Sequence, residues 1–233
     1  MSRRLLLLPW IVLAAAFLLR MMEAGMRGNF GLLFYPFKQQ YGWDRGSVSL
    51  AMSIGMIVWA LMLPFGGRLC DRFGPRRVMA VGFTLMIVSL LGSSTATSLW
   101  QLYLWWGIVG GLGWGLGATV GAVTLAARWF PRRRGLAMSV TISGVSAGTM
   151  VVVPIGAALF TVTDWQGVLW ALAGIIALVS FPILLLVVKD MPPAQARRGD
   201  GVSAATPRAT PRVPLLKALR EVCIFARQNL LSD

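Results

Sequence analysis

The chain has 233 residues, of which 57% are hydrophobic and only 13% charged, and its formal net charge is +14. A soluble domain carries about 25% charged residues, because its surface must face water. The low charge content and a mean hydropathy of +0.71 exclude most soluble folds and make lipid the expected solvent. Histidine is absent, which removes HExxH zinc sites, serine–histidine catalysis and histidine proton relays. Cys70 and Cys223 lie far apart, so neither a disulfide framework nor a paired metal motif is expected. No cofactor motif, metal site or enzymatic pair is read from the chain.

A bilayer core of roughly 30 Å needs about 20 apolar residues at about 1.5 Å rise each. On that measure the sequence predicts an all-α, polytopic membrane protein with six transmembrane helices at residues 5–37, 46–66, 78–97, 99–127, 135–160 and 166–188. Ser2-Arg3-Arg4 followed by an apolar stretch and Ala14-Ala15-Ala16 imitates a signal peptide. The apolar run continues to Phe37 and further spans follow, so the segment is read as a helix. Residues 1–190 are expected to form the membrane domain and 191–233 a basic, Pro-containing cytoplasmic linker and tail. Within that tail, Leu215 to Leu231 has the pattern of a short surface helix.

Lys and Arg set the orientation. With the N-terminus inside, eighteen basic residues fall on the cytoplasmic side, including Arg68, Arg72, Arg76 and Arg77 after helix 2 and Arg128, Arg132, Arg133 and Arg134 after helix 4. Only Lys38 and Arg45 fall outside. This asymmetry predicts a multi-pass plasma (cytoplasmic) membrane protein with both termini cytoplasmic, and it accounts for the net charge without nucleic acid as a partner. Trp43, Trp100, Trp129 and Trp165 stand near predicted helix ends, where interfacial indoles are expected.

Helix 1 carries the constellation that points to chemistry. Arg20, Glu23 and Arg27 are spaced i, i+3 and i+7, so they project from one helical face. A charge at the bilayer centre costs about 2.5–3.5 kcal/mol, so such residues face a protein interior or a pathway. Glu23 pairs with one arginine and leaves a spare guanidinium, which suits a small organic anion and a carboxylate in particular. Arg27 is the preferred substrate contact, with Arg20, Glu23 and Ser143 as further candidates. Glu23 is also a candidate for a coupling proton, and a structural ion-pair network is the competing interpretation. Seven glycines from Gly107 to Gly121 in helix 4, with Gly144 and Gly148 in helix 5, predict close helix packing. Pro154 is a candidate kink.

Between helices 2 and 3, Gly67-Arg68-Leu69-Cys70-Asp71-Arg72-Phe73-Gly74-Pro75-Arg76-Arg77 is dense in turn residues and charge. It resembles the signature loop of the major facilitator superfamily, with Gly67, Asp71, Arg72, Gly74, Arg76 and Arg77 matching its pattern. Trp129-Phe130-Pro131-Arg132-Arg133-Arg134-Gly135-Leu136-Ala137 and the stretch from Gly31 to Arg45 are similar to the monocarboxylate and oxalate/formate branch. The likeness covers roughly residues 10–190. It implies alternating-access transport of a small organic anion, a monocarboxylate in particular, with the Asp71 loop gating the inward face, and membrane lipid as a partner. Two departures stand out: Trp105 and Trp106 occupy the neighbourhood where many proton-driven relatives carry an arginine, and Pro154 lies several residues beyond Gly148. Symport, antiport and uniport stay open.

Members of the superfamily have twelve helices in two halves, so the resemblance implies that this chain supplies one half and lacks the C-terminal six helices. Pro214 to Glu221 resembles the approach to a seventh helix that Val222 to Asp233 does not continue. A truncated or frameshifted gene, or an incompletely read one, is the expectation. A transport-inactive fragment or assembly partner, and a sugar or drug transporter of the same superfamily, are the alternatives.

Overall fold

A computed structural model describes residues 3–130 and 133–188. The expected linker, the surface helix at 215–231 and the approach to a seventh helix therefore lie outside the described residues. Among those described there is no strand, and six helices are long and apolar enough to cross a membrane: α1 Pro9–Tyr41, α2 Arg45–Phe73, α3 Pro75–Ser94, α4 Leu99–Trp129, α5 Arg134–Leu159 and α6 Trp165–Leu185.

Local chemistry explains most of the boundaries. α1 tightens into a 3-10 segment at Asn29–Leu33 and closes as α-helix through Tyr41, where Gly42 takes a left-handed φ of 67° and returns its N–H to the Lys38 carbonyl. α2 starts on Asp44, whose carboxylate accepts the Gly46 N–H at 2.9 Å. α5 runs past Pro154 without interruption.

The expected loop at 67–77 is the main correction. α2 continues helically to Phe73, and the whole connection to α3 is Gly74, at φ 84° and ψ 147°, followed by Pro75 at the first helical position. Glycine alone enters that backbone region readily, and proline is pre-shaped for a helix start. The charges at Arg68, Asp71 and Arg72 do not end α2 because all three point outward, while Gly66 and Cys70 stay buried. A side chain on Gly66 would meet the Gly115 carbonyl of α4 at 3.0 Å.

α1 and α4 are central: 61% and 56% of their apolar windows are buried, against 17% for α2 and 28% for α5. α1 packs along α5, α3 along α6, and α4 lies between α2 and α3. Glycine makes these approaches possible. Gly107, Gly111 and Gly115 face Ala51, Gly55, Val58 and Met62 of α2, whereas Gly110, Gly113 and Gly121 face Ser89, Met86 and Met79 of α3. On α5, Gly144 and Gly148 lie against the Phe17 and Met21 carbonyls of α1. Small residues at four-residue spacing are what such approaches require in lipid, where dispersion rather than the hydrophobic effect holds helices together. Asn29, buried where α1 tightens, donates to the Gly25 carbonyl at 2.8 Å and to the Val152 carbonyl of α5 at 3.2 Å.

α4 is irregular. A π-helical stretch at Tyr103–Gly110 leads into Gly111–Leu116, and Gly117, at ψ −136°, breaks the helix before Ala118–Trp129. Of the four indoles expected near helix ends, Trp129 closes α4 and Trp165 opens α6, and both are covered by protein. Trp129 is 7% exposed and Trp165 6%, and Trp165 donates its Nε1–H to Gln40 Oε1 at 2.7 Å while meeting the Phe37 ring edge-on. The aromatic tail of α1 draws Trp165 inward.

Candidate functional site

The break at Gly117 decides what the charged face of α1 meets. Thr119 lies in the first turn beyond it, with its hydroxyl against the centre of α1. Arg20 Nη1 donates to Glu23 Oε1 at 2.7 Å and to Thr119 Oγ1 at 2.6 Å, and Thr119 Oγ1 donates to the same Glu23 oxygen at 2.6 Å. Trp59 of α2 completes the hydroxyl's set with an Nε1–H donation at 3.4 Å. One donor and two acceptor sites are all that a threonine hydroxyl has, so it is fully used. Arg20 is 9% exposed and Glu23 1%, and the pair is enclosed.

The enclosure is incompletely bonded. Glu23 Oε2 and Arg20 Nε are buried without a hydrogen-bond partner, so the guanidinium does not grip the carboxylate through two parallel bonds. A side chain at Gly117 would come within 3.8 Å of Glu23 Oε2, and glycine there keeps the space beside the carboxylate open.

Arg27 stands apart from this cluster. It is half-buried, its guanidinium carbon lies 5.3 Å from the centroid of the Trp59 ring, and its Nη1 is buried without a hydrogen-bond partner. Among the described residues it makes no direct ion pair. An aromatic face holds a cation by its quadrupole without neutralising it, so Arg27 keeps its positive charge available. Trp59 touches both groups and joins them.

Ser143 is not brought into the cluster. Its hydroxyl is exposed and donates to the Val140 carbonyl of its own helix at 2.8 Å, as Thr149 does to Ser146 at 2.9 Å. The contact between α5 and the charged face comes from the next residue, Gly144, where a side chain would meet Arg20 Cβ at 3.2 Å.

At the end of the bundle that holds Gly74, Asp71 pairs with Arg128 of α4, which donates Nη2–H to Oδ1 at 3.3 Å. Arg76 donates to the Leu185 carbonyl at 2.9 Å, tying the start of α3 to the end of α6. Arg72 lies over the ring of its neighbour Phe73 at 5.2 Å, Arg77 is exposed, and the space around Gly67 is open. Sequence reasoning missed Thr119, Trp59 and Arg128 as partners. Only the isolation of Thr119, a hydroxyl two residues past a glycine in the glycine-rich helix, offered a signal.

Residues 13–227 match the model of the Major Facilitator Superfamily. The chain belongs to this superfamily. Its relatives include Monocarboxylate transporter 13 of Bos taurus, 34% identical over 69% of this chain and 37% of the relative. Monocarboxylate transporter 11 of Homo sapiens is 31% identical over 86% of this chain and 44% of its own length. The uncharacterized MFS-type transporter YcxA of Bacillus subtilis is 29% identical over 81% and 46%. Within the superfamily the chain falls in a branch like the monocarboxylate transporters, and it spans less than half the length of these three relatives. Six apolar helices and membership of a transporter superfamily make this a multi-pass membrane protein of a transport family, with its buried charges on the helix that lies deepest.

Proposed function

We propose that the chain supplies one six-helix half of a transporter that carries a small organic anion, a monocarboxylate, across the plasma membrane by alternating access, with both termini cytoplasmic. The observation that carries this reading is Arg27: a cation within a membrane span, held on an aromatic face, with a buried nitrogen that lacks a partner. A carboxylate is the natural complement of a guanidinium that is not already paired. Similarity to monocarboxylate transporters supports the same substrate class. Residues 1–190 form the membrane domain in this reading, and substrate binds between it and a second six-helix half near the midplane. Ser143 lies on the exposed face of α5 toward that half. The segment with Gly67, Asp71, Arg72, Gly74, Arg76 and Arg77 gates the inward face, where Asp71 is held by Arg128. The reading does not depend on a coupling proton, for which Glu23 is the candidate carboxylate.

The test is uptake of labelled monocarboxylate by proteoliposomes containing the full-length transporter. Arg27→Gln is expected to raise KM by about tenfold or more, the loss of one charge-assisted hydrogen bond. Unchanged affinity and rate would remove Arg27 as the substrate contact. Competition by sugars and drugs, instead of monocarboxylates, would point elsewhere in the superfamily.

A further inference from the structure

We propose that Glu23 is a specificity-determining residue that sets the charge of the anion the site accepts. Its carboxylate occupies an anion position built by Arg20 and Thr119, and of the two arginines on this face Arg27 is the one left without a direct ion pair. This rests on Arg27 as the substrate contact and adds the reason why the substrate should carry one negative charge.

The geometry around Glu23 is that of a bound anion, supplied by the chain itself. One carboxylate oxygen receives a guanidinium N–H at 2.7 Å and a threonine O–H at 2.6 Å. The other oxygen has no donor and lies beside Gly117, at the point where α4 breaks. A purely structural ion pair gains most when the arginine fork is used fully and the remaining polar atoms are satisfied. Here Arg20 Nε and Glu23 Oε2 are both left without partners. The arrangement is poor as a brace but effective as a charge count, because it cancels one of two arginines and holds the cancellation in place through Thr119.

Position gives the count its consequence. Glu23 precedes Arg27 by four residues, which is about 6 Å along a helix, and both project from the same face. A dianion gripping Arg27 with one carboxylate would bring its second one toward Glu23, where like charges repel. A monoanion meets no such opposition. Neutralising Glu23 leaves Arg20 without its counter-ion, so a dianion held at Arg27 then faces a second positive charge on the same helical face.

The experiment uses the same full-length proteoliposomes, with labelled propionate as substrate and unlabelled propionate, succinate and glutarate as competitors. In the native protein both dianions are expected to compete about tenfold more weakly than propionate. Glu23→Gln should strengthen competition by at least one dianion about tenfold and leave propionate within about threefold. The double variant R20Q/E23Q, which restores a single positive charge, should return to the native preference. Equal competition by dianions in the native protein overturns the inference, as does a native preference in folded E23Q or a dianion preference in the double variant. If E23Q fails to fold, Glu23→Ala takes its place in the same competition, and a native preference in folded E23A overturns the inference. Loss of the premise looks different: no propionate uptake by the native protein, or uptake indifferent to R27Q, defeats the substrate assignment itself.

Discussion

Two ion pairs lie against α4, one within α1 and one between α2 and α4, and they differ in almost every physical respect. Arg20 and Glu23 meet at 2.7 Å with side chains 10% and 1% exposed, and Thr119 of α4 bonds to both. Arg128 and Asp71 meet at 3.3 Å with side chains 28% and 78% exposed. In the first pair, water and salt have little access, so each charge depends on the other. In the second, solvent screens the attraction and can replace either partner. An arginine–carboxylate pair thus gives an obligatory contact in the middle of the bundle and a releasable one at its end, as the proposed gate requires.

The largest effect should come from breaking the central pair on one side only. Arg20→Met leaves Glu23 buried without a cation and is expected to cost about 3–5 kcal/mol, measured by denaturant unfolding in detergent micelles with little dependence on salt. Overpacking the same helix without touching charge comes next. On α5, Gly148→Val drives a side chain into the Met21 carbonyl of α1 and should cost about 1–3 kcal/mol, which tests the packing of α1 apart from its charges. Thr119→Val removes the shared hydroxyl while keeping its shape, with an expected loss of about 1–2 kcal/mol. Its coupling to R20M in a double-mutant cycle should be strong, because the two residues share one network. Asp71→Asn should be smallest, below about 1 kcal/mol and vanishing at high salt. A loss for D71N as large as that for R20M, or a salt-dependent loss for R20M, would erase the contrast.

The sequence made the spans legible because lipid imposes a length and a polarity that few other constraints can disguise. The end of α2 was less legible. Gly66-Gly67 and the charges after them look like a loop, but outward-facing Arg68, Asp71 and Arg72 are compatible with a helix whose other side stays buried on α4. The local rule that did apply was the glycine–proline junction at Gly74-Pro75, about two turns later. The charges in α1 were legible for the same reason that the spans were, since ionisable residues are costly in lipid. Their partners were not. Thr119 is 96 residues from Glu23 and Trp59 is 32 from Arg27, and their approach depends on a break in α4 that no periodicity announces. Sequence spacing placed three charges on one face; tertiary packing decided which two cancel.

The connection at Gly74 has a mechanical consequence. α2 is the most exposed of the six spans, 17% of its apolar window being buried, while half of the α3 window is. A connection of one residue has no slack with which to absorb rotation. Any turning of α2 about its own axis is therefore transmitted through Gly74 to α3 as through a crank, and the most exposed span is geared to a better-buried one. Two or three inserted flexible residues at this point would disengage the gear while leaving every helix intact.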